Sequence, residues 1–302
     1  MNEIEIIIPA YNAHKTIKKT LESIWNQKDM PSFHVTIIND CGLDYNEIIS
    51  EYKKYPISEI KTPKNMGPGY SRQYGIDNTE SKYIIFIDSD DYFYDNNSIT
   101  LLYNKIERYN KDIIIGEFIY KRDSIKEIRK KDWIWLHGKI YRRKKLQELN
   151  IRFNDTRANE DNGFNRQIYL TFNRIGYLNT PVYVYEENEG SITRKNNREY
   201  KYTGLEWYTY NINWAIEKAG KNIADTGRLA DTIINTLFNM YNYSLEFSEK
   251  ERKENILRWC QCIYKRYEEN KNICKPYIEL YANKLKGKEK FYSFLEELKQ
   301  KK

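Results

Sequence analysis

The apolar positions in the first half of the chain come in short blocks separated by amphipathic stretches. Residues 4–8 (IEIII), 33–38 (FHVTII) and 82–87 (KYIIFI) read as buried strands, with weaker strands near 57–61 and over 112–119. Helical periodicity fills the gaps. One helix is expected over 13–27 with Asn12 as its cap, and one runs to about 55. A third opens at NMGPGYSRQYG (65–75), and a fourth covers 97–109. Continuous apolar runs alternating with helices predict an α/β fold with a mainly parallel sheet covered on both faces.

The pattern changes after about residue 120. Residues 131–150 read as a loop and a helix, 160–172 as a helix, and 174–178 and 182–186 as strands before the polar stretch EENEGSITRKNNRE. From about 201 the pattern is helical to the end. Gly220 is placed to stop one helix, and Ser248 with Glu251 forms a capping box for the next. The expected organisation is an α/β domain over 1–200 and an all-helical region over 201–302.

Composition narrows the class. There are 302 residues, enough for one large domain or a domain with an appendage. No apolar run reaches the roughly 18 residues of a membrane span, and MNEIEIIIPA has acidic residues where a secretory leader is basic. The expectation is a cytoplasmic protein. Cys260 and Cys262 sit two apart in a helical pattern and point in different directions. With Cys41 and Cys274 they make no zinc spacing, so reduced, partly buried thiols are expected.

Charge is uneven along the chain. Residues 201–302 hold 19 Lys+Arg against 14 Asp+Glu, most of the net +7. Such a basic tail suits an anionic membrane face, a polyanionic acceptor or nucleic acid, and its helices offer a homo-oligomer contact. Its bases are interleaved with acids and carry no nucleic-acid motif, so nucleic acid is not expected as a partner.

The chemistry gathers where strands end. In open α/β sheets ligands bind outside the carboxyl ends of the strands. The first strand ends in Pro9-Ala10-Tyr11-Asn12, the second in Asn39-Asp40, and that at 82–87 in Asp88-Ser89-Asp90-Asp91. Tyr11 can stack on a flat base, Asp40 can accept a base N–H, and the acidic cluster can hold a hard cation through carboxylate oxygens. Each has a plainer reading: a structural tyrosine, a turn cap, a cap for the helix at 97. Gly67 and Gly69 allow a tight turn into a helix N-terminus that suits phosphate, with Arg72 one turn in. This is neither a P-loop nor a dinucleotide fingerprint.

In this order, IIIPAYN, IIND, NMGPGYSRQYG and FIDSDDYF resemble the family 2 glycosyltransferases of GT-A (Rossmann-like) fold. Asn65, Gly67, Arg72 and Gly75 match one family spacing, and Asp88, Asp90 and Asp91 another. GKIYRRKKL (138–146), ANEDNGFN (158–165) and SITR (191–194) match three more. The resemblance covers about 3–195 and leaves the helical tail unmatched. It implies an inverting transferase that moves a sugar from a nucleotide sugar, most often UDP-linked, to a glycan, lipid-linked or protein hydroxyl. Pro9, Tyr11, Asp40, Asn65, Gly67, Arg72, Asp88, Ser89, Lys139 and Arg194 would bind the donor. Asp90 would hold Mn²⁺ or Mg²⁺, with Asp91 behind it or capping a helix. Asp161, beside Glu160, would be the general base.

Trp133, Trp135 and His137 are candidates for an acceptor platform, or else core residues. Two rivals remain: a sugar nucleotidyltransferase, which would need a basic glycine-rich loop after the first strand, and an inactive glycan-binding scaffold of the same fold. A peripheral position on the inner membrane face is a further expectation for the basic tail.

Overall fold

The computed structural model describes residues 2–156, 158–187, 198–285 and 289–301. The chain divides into two compact units, Met1–Asp161 with Phe172–Lys195, and Asn162–Thr171 with Asn196–Lys302.

The first unit is built on one sheet. Its elements are β1 (Asn2–Ala10), α1 (Ile17–Trp25), β2 (Phe33–Asn39), α2 (Asn46–Glu51), β3 (Ile57–Lys61), α3 (Pro68–Asn78), β4 (Ser81–Phe86), β5 (Tyr92–Phe93), α4 (Ser98–Arg108), β6 (Ile113–Arg122), β7 (Ile125–Arg129), β8 (Lys139–Arg142) and α5 (Arg143–Glu148). α6 (Glu160–Thr171) starts here and continues into the second unit, and β9 (Ile175–Glu186) completes the sheet. The strand order is β3-β2-β1-β4-β8-β6-β9-β5, with β7 paired to β6.

The period-two pattern explains one core. Ile4, Ile6, Ile8, Val35, Ile37, Tyr83 and Ile85 share a face, and α1 covers it with Ile17, Leu21 and Ile24 while α4 adds Ile99, Leu102 and Ile106. Each fully buried apolar side chain contributes roughly 1.5–3 kcal/mol.

Several expectations shift in detail. α1 starts at Ile17 because Asn12 sits at φ 53° and its side chain accepts the Leu43 N–H at 2.9 Å, so it caps no helix. α2 stops at Glu51, and Tyr55 instead stacks on Trp25 at 4.2 Å. A strand, β8, lies within the 131–150 stretch expected to hold only a loop and a helix. It pairs antiparallel with both β4 and β6, so parallel pairing is confined to β3-β2-β1-β4 and β6-β9. The two strands expected after 174 are one, irregular in register near Gly116–Phe118.

The second unit is helical. Besides residues 162–171 it holds α7 (Arg198–Ala219), α8 (Thr226–Ser244), α9 (Glu249–Glu251), which passes through a π-helical turn into α10 (Leu257–Glu269), then α11 (Lys271–Ala282) and α12 (Glu289–Gln300). Gly220, at φ 43°, follows α7 directly. Ser248 and Glu251 form the reciprocal capping box: the Ser248 N–H reaches the Glu251 carboxylate at 3.1 Å, and the Glu251 N–H reaches Ser248 Oγ at 3.3 Å. Leu170 of α6 lies in the same apolar core as Ile233, Leu237, Cys260 and Phe294. The observed division falls after Lys195, five residues before the boundary expected at 200, and it also assigns the stretch 162–171 to the helical unit. No described helix is long and apolar enough to cross a membrane.

Candidate active site

β1, β2 and β4 are adjacent and parallel, with Ala10 opposite Asn39 and Ile7 opposite Phe86. Their carboxyl ends therefore lie side by side. They bring Tyr11, Asp40 and Asp88 to one edge of the sheet, as the sequence pattern implied. Tyr11 is 56% exposed, a ring face open to a ligand. Gly42 passes tightly behind it: a Cβ there would meet Asn12 Oδ1 at 2.7 Å and the Tyr11 ring at 3.2 Å.

Asp40 is buried and organises the next loop. Its carboxylate accepts the Met66 N–H at 2.9 Å and the Gly67 N–H at 2.7 Å, and Asn65 Nδ2 donates to its carbonyl at 3.2 Å. Those bonds fix the turn at Gly67, whose φ of 92° suits glycine, and start α3 at Pro68. Pro9 is buried within β1 beside Ile38. Asp40, Asn65 and Gly67 thus form a single hydrogen-bonded turn.

From α3, Arg72 reaches across this crevice while nearly buried. One amino group meets Asp88 at 2.6 Å and the other meets Glu160 of α6 at 3.0 Å. Burial disfavours the Arg72 charge, but Asp88 and Glu160 outweigh it and hold the guanidinium firmly protonated. Burial likewise opposes ionisation of Asp88, and Arg72 overrides it to keep the carboxyl below its usual range. Gly69 makes room for this arrangement: a Cβ there would sit 2.5 Å from Glu160 Cγ. Asp161 follows Glu160 and is half-buried, and its charge is felt at Arg72, Lys139 and Tyr141.

Asp91 points inward, and it caps no helix. It accepts the Tyr183 hydroxyl at 2.6 Å and the Glu186 N–H at 3.0 Å, while Tyr183 Oη accepts the Asp88 N–H at 3.2 Å. Burial, then the charges of Asp88 and Asp90, push the Asp91 carboxyl well above its usual range. Ser89 and Asp90 are half-buried on the segment between.

His137, a candidate acceptor contact, is buried. It stacks on Tyr183 at 4.7 Å and Tyr185 at 5.2 Å, with Phe118 and Trp135 edge-on. Burial lowers its pKa to about 4. Lys139 is fully buried, donates to the Trp135 carbonyl, and has its pKa lowered by burial to about 8. Trp135 packs on the same core, and Trp133 lies edge-on to Tyr177. Arg194 and its SITR segment fall outside the described residues.

The donor set suits a hard divalent cation. Ligand atoms of Asp88, Asp91 and His137 lie within 4.8 Å of one another. Asp91 accepts a hydrogen bond at each oxygen, so Asp88, whose second oxygen lies outside the Arg72 pair, and a neutral His137 have lone pairs to offer an ion. Sequence reasoning passed over His137 as a ligand, and over Tyr183 altogether. The alternation YVY in β9 is the only local sign of Tyr183.

The sequence profile described as glycosyl transferase family 2 matches residues 5–163, more than half the chain. The chain belongs to glycosyl transferase family 2. The matched span contains every candidate residue named above except those in β9 and the SITR segment.

Among family relatives, glycosyltransferase GlyA of Streptococcus pneumoniae is 27% identical over 225 residues, 64% of this chain and 32% of that protein. The poly(ribitol-phosphate) beta-N-acetylglucosaminyltransferase TarS of Staphylococcus aureus is 28% identical over 205 residues, 61% of this chain and 35% of that protein. The chain thus spans about a third of the length of either. A crystal structure of S. aureus TarS 1–349 in complex with UDP-GlcNAc superposes with a TM-score of 0.76 at 19% identity, covering 99% of this chain and 92% of that one. The structural match therefore takes in the C-terminal helices, which the sequence motifs left unmatched. A mannosyltransferase from Pyrobaculum calidifontis, solved with GDP-Man and Mn²⁺, aligns with a TM-score of 0.57 at 10% identity, covering 98% of this chain and 85% of that one.

Proposed function

We propose that this family 2 member is an inverting, metal-dependent glycosyltransferase that moves a sugar from a UDP-sugar to an acceptor hydroxyl. The observation that carries the reading is the Arg72 bridge. It links the acidic end of β4 to the start of α6, so a donor-side carboxylate and a candidate base belong to one built site. The UDP-GlcNAc complex of TarS supports a nucleotide-sugar donor, and the Mn²⁺ complex of the Pyrobaculum enzyme supports a divalent cation.

In this reading Tyr11 stacks on the base, and the loop organised by Asp40 closes around it. Asp90, with Asp88 and His137, would hold Mn²⁺ or Mg²⁺, which supplies positive charge to the departing diphosphate when bound. Asp161 takes the proton from the acceptor hydroxyl as its oxygen attacks the anomeric carbon. That bond forms as the carbon–diphosphate bond breaks on the opposite face, so configuration inverts. Glu160 does not share the proton transfer, because its carboxylate is spent on Arg72 and its stem on Gly69. Arg194 would add a second cation near the diphosphate.

The test is UDP release from a panel of UDP-sugars with and without Mn²⁺, followed by the anomeric configuration of the product by NMR. Release that needs metal and an inverted product support the proposal. A retained configuration refutes the single-displacement mechanism, and no release from any nucleotide sugar refutes the activity.

A further inference from the structure

β4 and β6 both run antiparallel to β8, so they point the same way. Asp88 follows the carboxyl end of β4, while the amino ends of β6 and β9 lie at the other end of the sheet. Two clefts, of about 430 and 410 Å³, open there. They adjoin through consecutive residues, Lys111–Asp112 and Arg174–Ile175.

Their charge is one-sided. The first cleft has four basic side chains and two acidic ones, and most of that charge is internally spent. Asp112 is held by Arg174 at 2.5 Å and Arg142 at 3.6 Å, and Glu148 by Lys145 at 3.5 Å. Lys144 remains. The second cleft adds Lys105, Lys111 and Lys131 and no acid. Among the described residues, no carboxylate lies within ion-pair range of any of these four lysines. Gathering like charges around concave surfaces raises the local potential and the concentration of an opposite charge.

The free cations are all lysines, since both arginines are paired. A lysine ammonium is a point charge that suits a tetrahedral phosphate, whereas planar carboxylates favour a guanidinium fork. The two rings in the second cleft are capped by cations: Lys105 stands 5.6 Å from the Tyr109 centroid, and Lys131 stands 5.3 Å from that of Tyr177. Those capped faces are poor stacking platforms for bases. A recess in two adjoining parts suits a chain of repeating charges better than a flat bilayer.

We propose that these clefts form a second binding site, away from the carboxylate crevice, for a phosphate-bearing polymer that lacks nucleobases. The site requires no glycosyl transfer, so its test is independent of the activity proposed above. Fluorescein-labelled linear inorganic polyphosphate is titrated with the full chain by anisotropy over a range of salt concentrations. The variant K105Q/K111Q/K131Q is expected to bind at least about tenfold more weakly. The slope of log K against log salt should also fall by roughly two, near 0.7 for each lysine removed. The three single variants, each losing a share of the slope, carry the test if the triple variant does not fold. Wild-type affinity and slope in the variants overturn the proposal. So does equally tight binding of oligothymidylate of matched charge, or of phosphatidylglycerol vesicles, that is lost in the same variants.

Discussion

The guanidinium of Arg72 lies 2.6 Å from the Asp88 carboxylate and spends its other amino group on Glu160. The residue expected from its spacing to lie near the base or phosphates of the donor thus also braces two carboxylates from different elements. Removing it as Arg72→Ala leaves two carboxylates near each other with no counter-charge, which costs about 3–5 kcal/mol for a buried pair. Urea denaturation should show that loss, a smaller one for Arg72→Lys, and partial recovery in Arg72→Ala/Glu160→Gln. If the double variant recovers nothing, charge balance is not what Arg72 supplies.

Glu160 and Asp161 are expected to separate by phenotype. Asp161→Asn should leave UDP-sugar affinity nearly unchanged while transfer falls about 10²–10⁴-fold, the usual contribution of a general base. Glu160→Gln should shift the melting temperature and donor affinity, because its partner is Arg72. Isothermal titration with UDP beside steady-state kinetics distinguishes them. A matched loss of affinity and turnover in Asp161→Asn would assign it to the donor site.

Asp90→Asn removes a charged donor with little change in shape. Turnover should drop sharply with the circular dichroism unchanged, and EDTA should silence the wild type until Mn²⁺ is added back. Full activity in EDTA would rule out the cation.

His137 gives the fold a pH dependence of known sign. Its unfolded value is near 6.5 and its folded value about 4, so between those limits the unfolded chain binds the proton and the native state does not. Stability therefore rises as pH climbs from 4 to 6.5, and this contribution is complete above that window. The full effect is on the order of 3 kcal/mol. His137→Phe keeps a ring against Tyr183 and Tyr185 and should flatten that part of the melting temperature profile. An unchanged profile would mean that the carboxylates alone set the acid limb.

The strand blocks were legible because residues such as Ile4, Ile6 and Ile8 need only local apolar pattern to be read. Polar residues at three strand ends, two of them bearing carboxylates, were legible for a similar reason, since each follows a block directly. Asn12 was misread because its true partner, the Leu43 amide, is distant in sequence while a helix start is near. β7 has five exposed residues and no apolar alternation, and β8 has four residues, too few to show a period. Arg72 and His137 depend on partners from several elements, so no local pattern could mark them as buried.

The discontinuous make-up of the two units has a consequence for dissection. The backbone passes from one to the other three times, after Asp161, Thr171 and Lys195. No single scission can yield two self-sufficient fragments. A truncation after residue 200 would keep Leu170 and strip away Ile233, Leu237 and Cys260, which share its core. The helical part is thus not a detachable appendage that gene fusion could add or exchange at one junction. Shuffling it between relatives would require carrying ten residues from the middle of the transferase sequence along with it.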